Sequence, residues 1–162
     1  MHSGGQPAKG VQILADTPSD PSLGLTPRPK ALLIGASSGI GAALARRLAA
    51  EGFDLALVAR RQTELDALCQ SCSRDHGVRA MAYRHDVQDT AAVPALMETI
   101  ARDLNGLDLF VYLAGVMFPH DPAAYDTEQD LLTLRVNMLG AIAWCNPVAQ
   151  RLSRAGQGQF SR

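Results

Sequence analysis

The most restrictive feature of the sequence is a loop, Gly35-Ala36-Ser37-Ser38-Gly39-Ile40-Gly41, that follows the apolar run Ala31 to Ile34 and opens a helical pattern. Glycines in a G-x-x-x-G-x-G arrangement between a buried strand and an amphipathic helix build the turn of a βαβ unit that accepts a pyrophosphate. Gly35 permits the tight turn, Gly39 lets the backbone approach the phosphates, and Gly41 lets helix and strand pack closely. Amides left free at the helix start face the ligand with the positive end of the helix dipole. Ser37 and Ser38 add hydroxyl donors, and Ile40 stands beside them as a further candidate contact.

The rest of the chain keeps this alternation. A helix is expected over 39–51, with Ile40, Leu44 and Leu48 on one apolar stripe and Gly52 as its stop. Strands follow at 55–59, 78–85 and 107–113, and helices at 62–76 and 90–104. A long helix is expected over 127–152, kinked at Pro147, because a proline ring blocks the bond to the preceding turn. Gly156 and Gly158 mark a turn, and Gln159-Phe160 read as the first residues of a fifth strand. Buried strands joined by amphipathic helices imply an α/β fold, a Rossmann-like, doubly wound parallel sheet in three layers. The expected strand order is 3-2-1-4, and the chain stops at the start of its fifth strand. Before Lys30, five of the nine prolines crowd together with Gly4, Gly5, Gly10 and Gly24. Residues 1–29 are therefore read as a disordered leader and 30–162 as one incomplete domain.

Hydrophobic residues form 47% of the chain and charged ones 19%, which supports one ordinary core. A net charge of −1 leaves no basic excess for a nucleic-acid backbone or an anionic membrane surface. No apolar run approaches the ~18–20 residues that span a bilayer, and Met1 to Asp20 lack the form of a secretory signal. Three cysteines outline no secreted disulfide framework. The expected setting is the cytoplasm, without nucleic-acid or membrane partners.

Coenzyme choice should lie at the end of the second strand. An NAD-binding domain sets an acid there, about 20 residues past the loop, to hold the ribose hydroxyls. That place carries Arg60 and Arg61 and no carboxylate. Two guanidinium groups suit a ribose 2′-phosphate by bidentate bonding and by charge, so NADP(H) is favoured over NAD(H). Solvated helix-start arginines are the plain alternative, although cations are unfavourable at that end of the dipole.

With Gly35 to Gly41 and Ala59-Arg60-Arg61 go three further pieces: Asp86-Val87, Ala114-Gly115, and Val136-Asn137 with Gly140. In this order and spacing, residues 30–160 resemble the amino-terminal half of the short-chain dehydrogenase/reductase family. The resemblance implies that Asp86 hydrogen-bonds the adenine amino group and that Val87 walls the ring. It implies that Ala114 and Gly115 line the floor near the ribose and nicotinamide. Asn137 would be the asparagine that holds a water in the proton relay. Asparagine is a poor choice within a helix, and a buried amide there needs partners. The implied reaction passes a hydride between nicotinamide and a small-molecule carbonyl or alcohol.

Three departures accompany the resemblance. Ile34 stands where the family commonly has threonine, and Tyr112-Leu113 where it has two asparagines. These sites meet in the family's fold, which points to a paired exchange of polar groups for apolar packing. The family also uses a serine after the fifth strand, then a tyrosine that moves the proton and a lysine four residues on that lowers its pKa. Here no tyrosine follows Tyr125, no lysine follows Lys30, and Ser161 comes too early. The expectation is an NADP(H)-binding part of an oxidoreductase, inactive by itself. A non-catalytic NADP(H)-binding module, a pseudoenzyme and a nonfunctional gene fragment are the alternatives.

The long helix carries Leu131, Leu132, Leu134, Met138, Leu139, Ile142 and Trp144 around most of its circumference, which calls for burial on more than one side. The resemblance implies a homo-oligomer through 127–152, with intrachain burial as the other outcome. Cys69, Cys72 and His76 share a helical face but lack a fourth ligand, so packed thiols and no metal are expected. Asp121, Asp126, Glu128 and Asp130 gather at the start of the long helix, where acids cap and complement the dipole.

Overall fold

The computed structural model describes residues 27–119 and 126–155. Most of the leader, Asp121, the turn at Gly156 and Gly158, the expected fifth-strand start and Ser161 lie outside the described residues. Four parallel strands, β1 (Lys30–Ile34), β2 (Asp54–Ala59), β3 (Ala80–Arg84) and β4 (Leu109–Tyr112), pair in the order β3-β2-β1-β4. This is the order expected from the alternation. The two inner strands have the continuous apolar runs, and Ala31 to Ile34 and Leu55 to Val58 are fully buried, because helices cover both faces of the sheet.

On one face, α1 (Gly39–Ala50) and α2 (Gln62–His76) lay Ala45, Leu48, Leu65 and Leu68 over Leu33, Leu55 and Leu57. On the other, α3 (Val93–Leu104), preceded by a 3-10 turn at Thr90–Ala92, brings Val93, Met97, Ile100 and Leu104 against Leu32, Ile34 and Val58. The alternating side-chain directions of a strand divide these two cores. Cys69 and Cys72 are unbonded and buried in the first of them, and burial pushes the Cys69 thiol up to about 12, an inert packed thiol. Among the described residues no cluster of three or more His, Cys, Asp or Glu side chains could hold a metal, and no helix is long and apolar enough to cross a membrane.

At the amino-terminal end of the sheet, the buried Asp54 carboxylate accepts bonds from Arg79 N and Arg79 Nε, both at 2.9 Å. The Arg79 guanidinium continues to the carbonyls of Leu104 and Asp103, closing the end of α3. Arg28 Nη1 donates to Gly77 O at 2.6 Å and Asp54 N donates to Pro29 O at 2.9 Å, so these two residues, placed in the leader by composition, are tied to the end of α2 and the start of β2.

The long helix departs from expectation. It consists of α4 (Thr127–Leu134), a π-helical turn at Arg135–Leu139 and α5 (Gly140–Ala155), and α5 continues through Pro147. Gly140 N donates to Arg135 O, five residues back, so the break in α-helical bonding lies ahead of the proline. Asp126 caps the start by accepting from Gln129 N at 3.1 Å. Val136, Trp144 and Val148 are buried, whereas Leu131, Leu134, Met138, Leu139 and Ile142 are exposed, so one side of the helix is covered rather than two.

Candidate functional site

The carboxyl ends of β1, β2 and β4 and the start of α1 surround a cavity of about 430 Å³. Every residue proposed from sequence as a coenzyme contact lines it except Gly39. The glycine loop explains its shape. A Cβ on Gly41 would overlap the carbonyl oxygen of Gly35, and a Cβ on Gly35 would lie 2.5 Å from Ala114 N and 2.8 Å from the Leu113 carbonyl carbon. Gly35 also needs its φ of +91°. Gly39, at φ +52°, has nothing within 4 Å of a built Cβ, which leaves open space beside the backbone. Ser38 is the N-cap of α1 but its hydroxyl makes no capping bond, so the first-turn amides and this hydroxyl remain available to an anion. Ile40, placed by periodicity on the core stripe, is 77% exposed and overhangs the cavity instead.

The two arginines behave differently. Arg61 donates from Nη2 and Nε to Ser37 Oγ at 3.0 and 3.3 Å, and its Nη1 lies 3.5 Å from Glu64 Oε1. A carboxylate therefore does stand beside the pair. It comes from the first turn of α2, where the dipole favours an acid, rather than from the strand end. Arg60 is exposed, has no ion pair among the described residues, and also lines a neighbouring cavity of about 450 Å³ with Arg84, His85, Asp86 and Asp89. Asp86 Oδ1 accepts from Gln88 N at 3.0 Å, which fixes the carboxylate at the cavity's rim, and Val87 beside it is buried. His85 N donates to Ala59 O at 3.0 Å, and its buried ring meets Trp144 edge-on at 5.6 Å. Burial lowers the His85 pKa against the opposing pull of Asp89 and Asp86.

At the other end, Ala114 and Gly115 are joined by Leu113, Val116 and Val136. Asn137 does not line the cavity and is exposed, not buried as its sequence context implied. Its partners are the backbone of Val116: Oδ1 accepts from Val116 N and Nδ2 donates to Val116 O, both at 2.8 Å. Tyr112 overturns the expected apolar exchange in part. It is the register partner of Ile34 and both belong to the same core, but its hydroxyl donates to Val136 O at 2.6 Å. Ala59, Leu113 and Val136 also line the cavity, although the sequence marks them only as members of motif pieces and not as contacts, and Val116, next to Ala114-Gly115, joins them.

The family pattern described as short chain dehydrogenase matches residues 29–160. D-threitol dehydrogenase of Mycolicibacterium smegmatis is 35% identical over 129 residues, 79% of this chain and 49% of that protein. Among solved structures, NAD+-bound xylitol dehydrogenase superposes with a TM-score of 0.76 at 29% identity, covering 80% of this chain and 50% of its own. Alcohol dehydrogenase from the archaeon Thermococcus sibiricus, complexed with 5-hydroxy-NADP, gives 0.75 at 28%, with 80% and 55% covered. The chain thus spans about half the length of these relatives.

Proposed function

The chain belongs to the short-chain dehydrogenase family, and we propose that its cavity holds NADP(H) as the coenzyme-binding part of an oxidoreductase acting on a small-molecule carbonyl or alcohol. The observation that carries this is the union, in one cavity, of open first-turn amides of α1 with Arg60 and Arg61 at the end of β2. Such donors fit two phosphate groups of a coenzyme. The amides of Gly39, Ile40 and Gly41, with the Ser38 hydroxyl, hold the pyrophosphate. Arg60 and Arg61 hold the 2′-phosphate, with Ser37 keeping the Arg61 fork in place. Asp86 accepts from the adenine amino group and Val87 walls the ring. Ala114 and Gly115 form the floor under the nicotinamide half, and Asn137, whose amide is engaged by Val116, braces the chain beside that floor. When bound, the nicotinamide supplies or accepts the hydride. Coenzyme binding is the part of the reaction we assign to these 162 residues, which hold no tyrosine four residues before a lysine. We place it in the cytoplasm, consistent with three unbonded cysteines.

The exposed stripe of Leu134, Met138 and Ile142 on α4, the π-helical turn and α5 is assigned to contact with a second copy.

Fluorescence titration with NADPH and NADH tests the assignment. Arg60→Asp should weaken NADPH by about tenfold, the scale of one charge-assisted hydrogen bond, and NADH little. Equal losses for both would refute the 2′-phosphate role, and binding of neither by the parent chain would refute the coenzyme site itself.

A further inference from the structure

Three side-chain bonds tie the last residue of β4 and the chain after it to the π-helical turn, and they act in series. Tyr112 Oη donates to Val136 O at 2.6 Å. The next residue, Asn137, grips both the N–H and the C=O of Val116 at 2.8 Å. Val116 lines the cavity beside Ala114 and Gly115, whereas Tyr112 does not. Gly140 makes room for the phenol, since a Cβ there would lie 2.5 Å from Tyr112 Oη. A turn closed by bonds to the fifth residue back leaves the α-helical register, and such turns persist where something outside the helix supports them. A half-buried phenol in turn needs an acceptor. Burial pushes the Tyr112 pKa up to about 12, so the group remains a donor near neutral pH.

We propose that Tyr112 is a positioning residue for the coenzyme site: its hydroxyl fixes the π-helical turn, the turn aims Asn137 at Val116, and this clamp sets the wall for the nicotinamide half. The inference rests on the cavity being an NADP(H) site.

The test uses the full chain and Tyr112→Phe, which keeps the ring in the core and removes one oxygen. Hydrogen exchange at the Val116 amide should speed by about 3- to 10-fold, the scale of one lost hydrogen bond, while Leu32 and Leu33 exchange as before. NADPH should bind about 3- to 10-fold more weakly, whereas adenosine 2′,5′-bisphosphate, which lacks the nicotinamide half, should change by less than about twofold. Asn137→Ala should give the same pattern, and the double variant should lose no more than either single one, as coupled residues do. Unchanged exchange at Val116, or equal losses for both ligands, overturns the clamp. If the parent chain binds neither ligand, the coenzyme reading falls and the role of Tyr112 toward nicotinamide falls with it, even where Val116 exchange responds.

Discussion

Substituting Gly41 tests the loop at its most crowded point. An alanine Cβ there would overlap Gly35 O and lie 2.9 Å from Ala36 Cα and 3.0 Å from the Gly35 carbonyl carbon. All three are main-chain atoms, so no side chain can swing aside, and either α1 or the loop must move. Overpacking a tight site costs about 1–3 kcal/mol, and rigid neighbours place Gly41→Ala near the upper end, at about 3 kcal/mol. For a chain of this size, about 4 °C of melting temperature accompanies each kcal/mol, which gives a fall of roughly 12 °C. The displaced loop also strains the bond from Gly35 N to Val58 O, now 2.8 Å, and tilts the first-turn amides away from the cavity. Gly52→Ala is the control. It has φ +86° and nothing within 4 Å of its Cβ, so it carries backbone strain alone, at about 1–2 kcal/mol, and lies at the far end of α1. Thermal melts by circular dichroism with NADPH titration of the same samples measure both effects. Gly41→Ala should lose stability and binding together, and Gly52→Ala only some stability. A Gly41→Ala protein that melts no lower than Gly52→Ala, or binds NADPH as the parent does, would refute the steric account of the loop.

Two further outcomes concern stability. Asp54→Ala leaves the Arg79 amide without its acceptor and should cost about 2 kcal/mol in urea unfolding, against about 1 kcal/mol for Asp54→Asn, which keeps an acceptor oxygen; the half-exposed Arg79 guanidinium adds little. NADPH affinity should stay unchanged because Asp54 lies at the opposite end of the strand from the cavity, and a coenzyme effect or equal costs would contradict this. His85 titrates below its ordinary value of 6.5 in the folded chain, so the unfolded chain takes the proton first. Its contribution to stability is complete above pH 6.5 and is lost as pH falls below that value through the lower folded-state pKa, and His85→Phe should flatten this part of the stability profile between about pH 8 and about pH 5. A slope that is the same in both proteins would remove His85 from the account.

The side of the cavity formed by β1, β2 and the start of α1 is readable in the sequence because its determinants are local. Ala31 to Ile34 and Leu55 to Ala59 are continuous apolar runs, and only a strand covered on both faces buries such a run. The close contact of Gly41 with Gly35 spans one turn of chain, so spacing alone announces it. Errors arose where periodicity does not report what lies opposite. Ile40 falls on the helical stripe, yet the first turn of α1 extends past the sheet and finds the cavity instead of core. Glu64 sits three residues beyond Arg61, a normal first-turn acid, and only the folded arrangement turns it back onto the guanidinium.

The side of the cavity bounded by the end of β4 and the π-helical turn depends on contacts between distant residues, Tyr112 with Val136 and Asn137 with Val116, and on a turn whose presence disguises the pattern. In a uniform helix at about 100° per residue, Leu132 and Trp144 would stand about 120° apart, on different faces. Both pack on the core between α3 and the sheet. A π-helical turn holds one residue more than its α-helical counterpart, and removing one step of about 100° brings the pair to within about 20°. The insertion at Arg135–Leu139 therefore aligns the two ends of the helix on one core. It also explains part of why apolar residues in this segment fall around most of the circumference when the sequence is wound as a uniform helix. The phase shift that hid the buried face from periodicity is the same irregularity that carries Asn137 and is braced by Tyr112. A single inserted residue thus supplies both the packing of Trp144 and the wall of the cavity.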